Sequence, residues 1–218
     1  LREPVAHNIG LDDFVPDPHY LERLADAFDS DPDLVGATGL VVADGVNGPG
    51  LSREEACAAI EAQAARHPDG DPAETKVFGL YGCNMAVRAS ALGDRRFDEA
   101  LPLYGWMEDL DLTNQLLAEG DLRRLNRLVG AHRGIKAGRT SGVRLGYSQI
   151  ANAVYLIRKG TAPKRPMYEN IAKYLIVNGI KSVRPEPFID RRGRLKGNLV
   201  GMVDWALGRS RPDRILDL

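Results

Sequence analysis

The stretch LVGATGLVVA, residues 34–43, is a short apolar run carrying Val35, Thr38, Val41 and Val42. Its length and β-branched content predict a buried strand rather than a helix. A loop, GVNGPG (45–50), ends it. Upstream, VPDPHYLERLADAF (15–28) predicts a helix, with Asp17 as N-cap, Pro18 at the first helical position, and Leu21, Leu24, Ala25 and Phe28 at helical spacing. Downstream, Ser52 and Glu55 form the sequence signature of a capping box opening a helix to about Arg66. HPDGDPAE (67–74) reads as a polar loop, and KVFGLYGCNMAVR (76–88) as extended chain broken by Gly79 and Gly82. A helix from about Glu108 is expected to end near Gly120, a C′ glycine. Strands and helices alternate, so an α/β layered architecture is expected.

The rear of the chain differs. GVRLGYSQIANAVYLIRKG (142–160), MYENIAKYLIVNGIKSV (167–183) and LKGNLVGMVDWALG (195–208) all read as helices, the first with an apolar face of Leu145, Ile150, Val154 and Ile157. RPEPFIDRRGR (184–194) reads as a proline-punctuated linker. The 218 residues have a net charge of −1, but the balance is divided. Residues 1–132 hold 11 Lys and Arg against 24 Asp and Glu, and residues 133–218 hold 18 against 6. Two surfaces with different partners are expected. The 44% hydrophobic content is that of a globular protein, and no apolar run has bilayer-crossing length. The first residues do not resemble a signal peptide. Two cysteines, Cys57 and Cys83, do not make a disulfide framework, and a reducing cytoplasmic setting is expected.

Chemistry concentrates at two acidic places. LYGWMEDLDL (103–112) carries Glu108, Asp109 and Asp111 behind Trp106. Carboxylates at a helix start are favoured by the macrodipole, by about 0.3–1 kcal/mol each when exposed, which is a purely local account of them. That account leaves out Trp106 and a second signal, Asp12 and Asp13 in GLDDFVPDP (10–18). Adjacent aspartates can hold a hard cation such as Mg²⁺ or Mn²⁺. With His132 of GAHRG (130–134), the two clusters suit a metal-assisted transfer with a separate general base; a structural role for the histidine stays open.

Four motifs in order, LDDFVPDPHYLERL, YGCNMAVRASAL, FDEALPLYGWMEDLDLTNQLLAEG and AHRG, resemble the second half of a family 2 glycosyltransferase with the GT-A fold. RTSGVRLGYSQIANAVYLIRKG and VRPEPFIDRRGRLKGNL resemble the helical tail of bacterial members that build cell-surface polysaccharides or glycolipids. The resemblance implies a GT-A-like mixed sheet flanked by helices, the C-terminal part of that fold, over residues 1–135. A basic helical extension would follow over 136–218. It implies sugar transfer, with inversion, from a nucleotide-diphosphate sugar to a hydroxyl of a glycan or lipid-linked acceptor, with divalent Mg²⁺ or Mn²⁺. Asp12 and Asp13 fall on the acidic motif for metal and donor diphosphate, and His132 near a histidine that completes the metal site in some relatives. Gly82 and Asn84 fall on the loop under the donor, and Asp109 on the catalytic base. Glu108 lies beside the base, in contact with acceptor or donor, and Trp106 forms an acceptor platform.

The acidic motif departs from the family's, since Leu11 and Phe14 flank the aspartates and leave two carboxylates. Eleven residues precede Asp12, so the βα units that hold the nucleotide base are missing, and the chain is expected to be a fragment of a longer enzyme. A different class competes: a non-catalytic module lying on a membrane surface. Its warrant is the missing donor half together with the basic rear, with Tyr155, Ile157, Tyr174, Leu175 and Trp205 among Lys and Arg, which suits the anionic inner membrane surface. Packing of those apolar faces on the α/β core is the alternative. No nucleic-acid motif accompanies the charge, and nucleic acid is not expected as a partner.

Overall fold

A computed structural model describes residues 13–103, 105–135 and 141–218, and the backbone of residues 5–7. The first strands and helices are β1 (Val5–His7), β2 (Phe14–Pro16), α1 (Tyr20–Ser30), β3 (Leu34–Asp44) and α2 (Arg53–Arg66). Then come β4 (Glu74–Lys76), β5 (Ala86–Arg88), the short α3 (Ala89–Leu92), α4 (Glu108–Asn114) and β6 (Asp121–His132). Three long helices close the chain: α5 (Gly142–Lys159), α6 (Lys164–Lys181) and α7 (Arg191–Ala206). The chain divides into two compact units. One is Leu1–Arg96 with Leu112–Lys136, and the other is Phe97–Asp111 with Ala137–Leu218. The sequence reading put Phe97–Asp111 with the sheet. It groups with the helices because Leu101, Met107 and Leu110 join the apolar cluster of α5.

The first unit is a mixed sheet flanked by helices, in the order β1-β5-β3-β6-β2, with β4 also paired to β6. β3 and β6 run parallel, and the other pairs are antiparallel. The apolar run 34–43 is β3, extended by Asp44 and buried at its start. β6, the longest strand, has no counterpart in the sequence reading. Its Leu122, Leu125 and Leu128 recur every third residue, the spacing of a helix and not of a regular strand. An irregular register resolves the conflict: the pairing advances from Leu125 to Val129 on β6 while β3 advances only from Gly39 to Leu40. Leu125 and Leu128 thereby both enter the cluster under α1, with Tyr20, Leu24, Ala27 and Phe28. Leu122 enters the opposite cluster, with Leu112 and Leu116.

Helix starts follow side-chain chemistry. The capping box at α2 forms in both directions, Glu55 N–H to Ser52 Oγ and Ser52 N–H to Glu55 Oε2. α1 begins later than its sequence suggests. Asp17 does not cap it but turns the chain ahead of it, accepting from His19 N–H at 2.8 Å and pairing with Arg23 at 3.1 Å. α4 ends at Asn114 rather than near Gly120, and Thr113 Oγ1 accepts the Leu80 N–H. Gly120 instead lets the chain pass Asp33, since a Cβ there would stand 2.4 Å from the Asp33 carbonyl oxygen.

In the second unit α5 is buried on nearly all sides, so the expected single stripe is too narrow. Gly146 and Gly197 bring α5 and α7 into backbone contact, and Gly201 receives the Ile150 side chain. Gln149, Asn178 and Asn198 bond to one another where the three long helices meet, and Arg191 donates to Asn178. Ile157, Leu175, Tyr155 and Trp205 pack on the α5 cluster, and Tyr174 packs on Trp106. These five residues, read as candidates for a membrane surface, are therefore part of the packing of this unit.

Candidate functional site

The ends of the parallel pair build the first cluster. Asp44 and His132 are in register at the C-terminal ends of β3 and β6, and Phe14 of β2 pairs with His132 on the other side. Asp13 stands in the turn before β2. It holds the chain beyond β6 through Arg133 N–H to its carbonyl at 2.6 Å and Ile135 N–H to its Oδ1 at 2.7 Å. His132 is thus placed between two carboxylates: Nε2 lies 3.0 Å from Asp13 Oδ2, and Nδ1 lies 3.0 Å from Asp44 Oδ1. The Tyr81 hydroxyl donates to Asp44 Oδ2 at 3.0 Å, and its ring meets the imidazole edge to face. Gly134, at φ +64°, takes a backbone conformation that favours glycine, and a Cβ there would lie 2.4 Å from the Gly45 carbonyl carbon.

The imidazole is nearly enclosed, while Asp13 and Asp44 remain about two-fifths exposed, so the cluster opens to solvent through its carboxylates. Burial disfavours charge on His132. The hydrogen bonds and charges of Asp44 and Asp13 outweigh it and raise its pKa above the ordinary value. Burial likewise pushes Asp44 up, but hydrogen bonds from His132, Val46 N–H and Tyr81 hold it below the usual carboxylate value.

Asp12 lies outside the described residues. Gly82 sits in the turn that carries Tyr81 and Asn84. Asn84 is fully buried, contacts Thr38, and its amide bridges the Tyr81 carbonyl and the Gly39 N–H. A side chain so enclosed shapes the Tyr81–Gly82 turn rather than reaching a ligand. Asp44 and Tyr81 were not among the residues singled out from sequence. An acid closing an apolar strand just before a glycine-rich loop was the available signal for Asp44.

The second cluster belongs to the helical unit. Leu103 and Met107 have φ of 61° and 72°, the left-handed region that costs a non-glycine residue about 1–3 kcal/mol. Between them Gly105, at φ +62°, leaves the space that the Glu108 carboxylate fills; a Cβ there would stand 1.9 Å from Glu108 Oε2. Burial and then the charge of Asp109 push the Glu108 pKa up. Asp109 Oδ1 accepts the Leu110 N–H at 2.8 Å. Asp111 is fully buried, with Lys159 Nζ 2.7 Å away and the Thr161 hydroxyl as a further donor. Lys159 also contacts Asp98, at 2.6 Å. Trp106 is partly buried. Its carbonyl accepts from Asn152 at 2.8 Å and its ring meets Tyr174 at 6.2 Å between centroids.

Among the described residues no group of three or more His, Cys, Asp or Glu side chains is arranged to hold a metal ion. Asp13 and His132 could supply two ligands only with the imidazole neutral and its Nε2 released from Asp13, while Asp44 bonds Nδ1, as carboxylates behind metal-bound histidines do. Carboxylate with imidazole suits Mn²⁺ better than Mg²⁺, which prefers oxygen. No family model matches the chain, and no curated protein matches it.

Proposed function

We propose that the chain is part of a GT-A-type glycosyltransferase, moving a sugar from a nucleotide-diphosphate donor to an acceptor hydroxyl. The observation that carries the reading is the Asp13–His132–Asp44 cluster at the carboxyl ends of two adjacent parallel strands, where α/β sheets bind their ligands. Asp13 and His132 would hold a divalent cation there, with Asp44 and Tyr81 fixing the imidazole. Such a cation, when bound, neutralises the charge that develops on a departing diphosphate. Gly82, in the turn packed by Asn84, is assigned to the donor side of the cluster.

Transfer also requires a base for the acceptor hydroxyl, and the Glu108–Asp109 pair fits that requirement. Burial and the Asp109 charge raise the proton affinity of Glu108, so the two carboxyls differ in how readily they ionise. A positioned carboxylate that takes a hydroxyl proton typically contributes about 10²–10⁴-fold. Asp109 is assigned as the base and Glu108 as its partner, in contact with acceptor or donor. Trp106 and the left-handed Leu103 and Met107 stand just ahead of the pair in the chain. Asp111, neutralised by Lys159, takes no part in the chemistry.

The test, made on the longer enzyme of which the chain is read as part, is release of nucleoside diphosphate from a panel of nucleotide-diphosphate sugars in the presence of Mn²⁺, with calorimetry of nucleotide binding. Asp109→Asn should lower turnover about 10²-fold or more while leaving nucleotide affinity within about threefold. His132→Ala should remove the response to Mn²⁺. Near-normal turnover by Asp109→Asn overturns the base assignment. A longer enzyme that binds no nucleotide-diphosphate sugar, with or without Mn²⁺, overturns the reading as a whole.

A further inference from the structure

The helical unit carries a surface that the transfer reaction does not use. On α6 and just beyond it, Ile176, Ile180 and Val183 recur at helical spacing and are 59–77% exposed. On α7 and just beyond it, Leu199, Val203 and Leu207 do the same at 52–62%. The two helices are antiparallel neighbours, since Tyr168 stacks on Trp205 and Asn178 bonds to Asn198. Each turns its buried side, with Ile171 and Asn178 on α6 and Gly197 and Gly201 on α7, towards the interior of the unit. The two apolar stripes are therefore left on the outward side of the pair. Exposed aliphatics recurring along two neighbouring helices mark an interaction surface.

The charges around the stripes select the occupant. Residues 164–207 hold nine Lys and Arg against four Asp and Glu, and each of the four acids is already engaged. Glu169 pairs with Arg165, Glu186 with Arg191 and Lys181, and Asp204 with Arg209 and Arg214, while Asp190 caps α7. Lys173, Arg184, Arg192 and Lys196 form no ion pair among the described residues, and all four are exposed on or beside the two stripes. A second copy docked face to face would oppose these cations to themselves. A nucleic acid would want aromatic rings for its bases, and the stripes are aliphatic. An anionic bilayer takes both features, with the aliphatics at the acyl boundary and the ammonium and guanidinium groups at the phosphates.

We infer that the outward face of α6 and α7 docks on an anionic phospholipid bilayer, with Ile176, Ile180, Val183, Leu199, Val203 and Leu207 inserted. The inference stands independently of the transferase reading. No helix of the described residues is long and apolar enough to cross a membrane, so the contact would lie in the interface.

The whole chain is sedimented with vesicles of neutral phosphatidylcholine, and with the same lipid carrying about 30 mol % phosphatidylglycerol. Binding is expected to the anionic vesicles, weakening as salt is raised to about 0.5 M, with little binding to neutral ones. Ile180→Ser with Val203→Ser should weaken it about tenfold or more. Lys173→Gln with Lys196→Gln should weaken it about 10–30-fold. These positions are exposed, and circular dichroism with light scattering verifies fold and mass for each variant. The inference is overturned by folded wild-type chain that pellets with neither vesicle or equally with both. It is also overturned by either double variant binding as wild type does, or by a dimer that the apolar variant dissociates. Turnover of a soluble acceptor is read separately, so failure to bind vesicles and failure to transfer are distinct results.

Discussion

Three carboxylates lie within four residues of LYGWMEDLDL, and their surroundings separate them. Asp111 is buried against Lys159, an ion pair that joins residues 48 apart in the chain. Glu108 is pressed over Gly105 beside Asp109, and burial and the Asp109 charge raise its pKa. A carboxyl whose pKa is raised on folding opposes folding wherever it is ionised, and the penalty vanishes as pH falls below its unfolded value. Glu108→Gln should therefore raise the thermal midpoint at pH 7 by about 1–3 °C, and the gain should shrink to nothing near pH 4. A midpoint lowered at pH 7, or a gain that does not depend on pH, would count against this description. The sequence showed that the acids were crowded. It did not show which one a lysine neutralises, because that depends on how α5 packs.

Elements show the same division. Local chemistry specified the capping box at Ser52, which forms as read, and the strand at 34–43, which forms with one residue more, Asp44. β6 could not be read, because its leucines repeat every third residue and only the irregular register against β3 reconciles that spacing with a strand. Glycines in helices pose the same problem, since each weakens a helix equally by propensity. At Gly197 a Cβ would meet the Val143 carbonyl oxygen at 2.0 Å, whereas at Gly179 it would meet nothing within 4 Å. Gly197→Ala should destabilise the chain by about 1–3 kcal/mol through overpacking of α5 and α7. Gly179→Ala should stabilise it by about 0.5–1 kcal/mol through lower entropy of the unfolded chain. Urea titrations of the two variants measure both effects, and a shift of the same sign in both would refute the packing described.

Across the whole molecule, acids held below their ordinary pKa are spread through both units. In the sheet unit Lys76 and Arg123 lower Asp121, and burial of Asp44 is outweighed by its bonds to His132, Val46 and Tyr81. In the helical unit Arg191 and Lys181 lower Glu186, and burial of Asp98 is outweighed by Lys159, Ala100 N–H and Tyr155. Carboxyls with lowered pKa values stabilise the fold above their unfolded values, near 3.8 for Asp and 4.5 for Glu, and lose that contribution as pH falls through the folded ones. The unfolding midpoint should therefore hold from about pH 7 to 5 and fall steeply below about pH 4. A midpoint unchanged down to pH 3 would mean that these pairs contribute little. The sequence by itself determined the α/β alternation at the front, the helices at the rear, the division of charge and the place of both acidic clusters. Those signals are carried by caps, periodicity and composition within a few turns of chain. Tertiary structure alone brought Asp44 and Tyr81 to His132 and gave Asp111 to Lys159. It also packed Tyr174 and Leu175 partly inside while leaving Ile176 exposed. A hydrogen bond across 88 residues, or one residue of helical phase, is decided by which surfaces close on each other, and no local pattern carries that information.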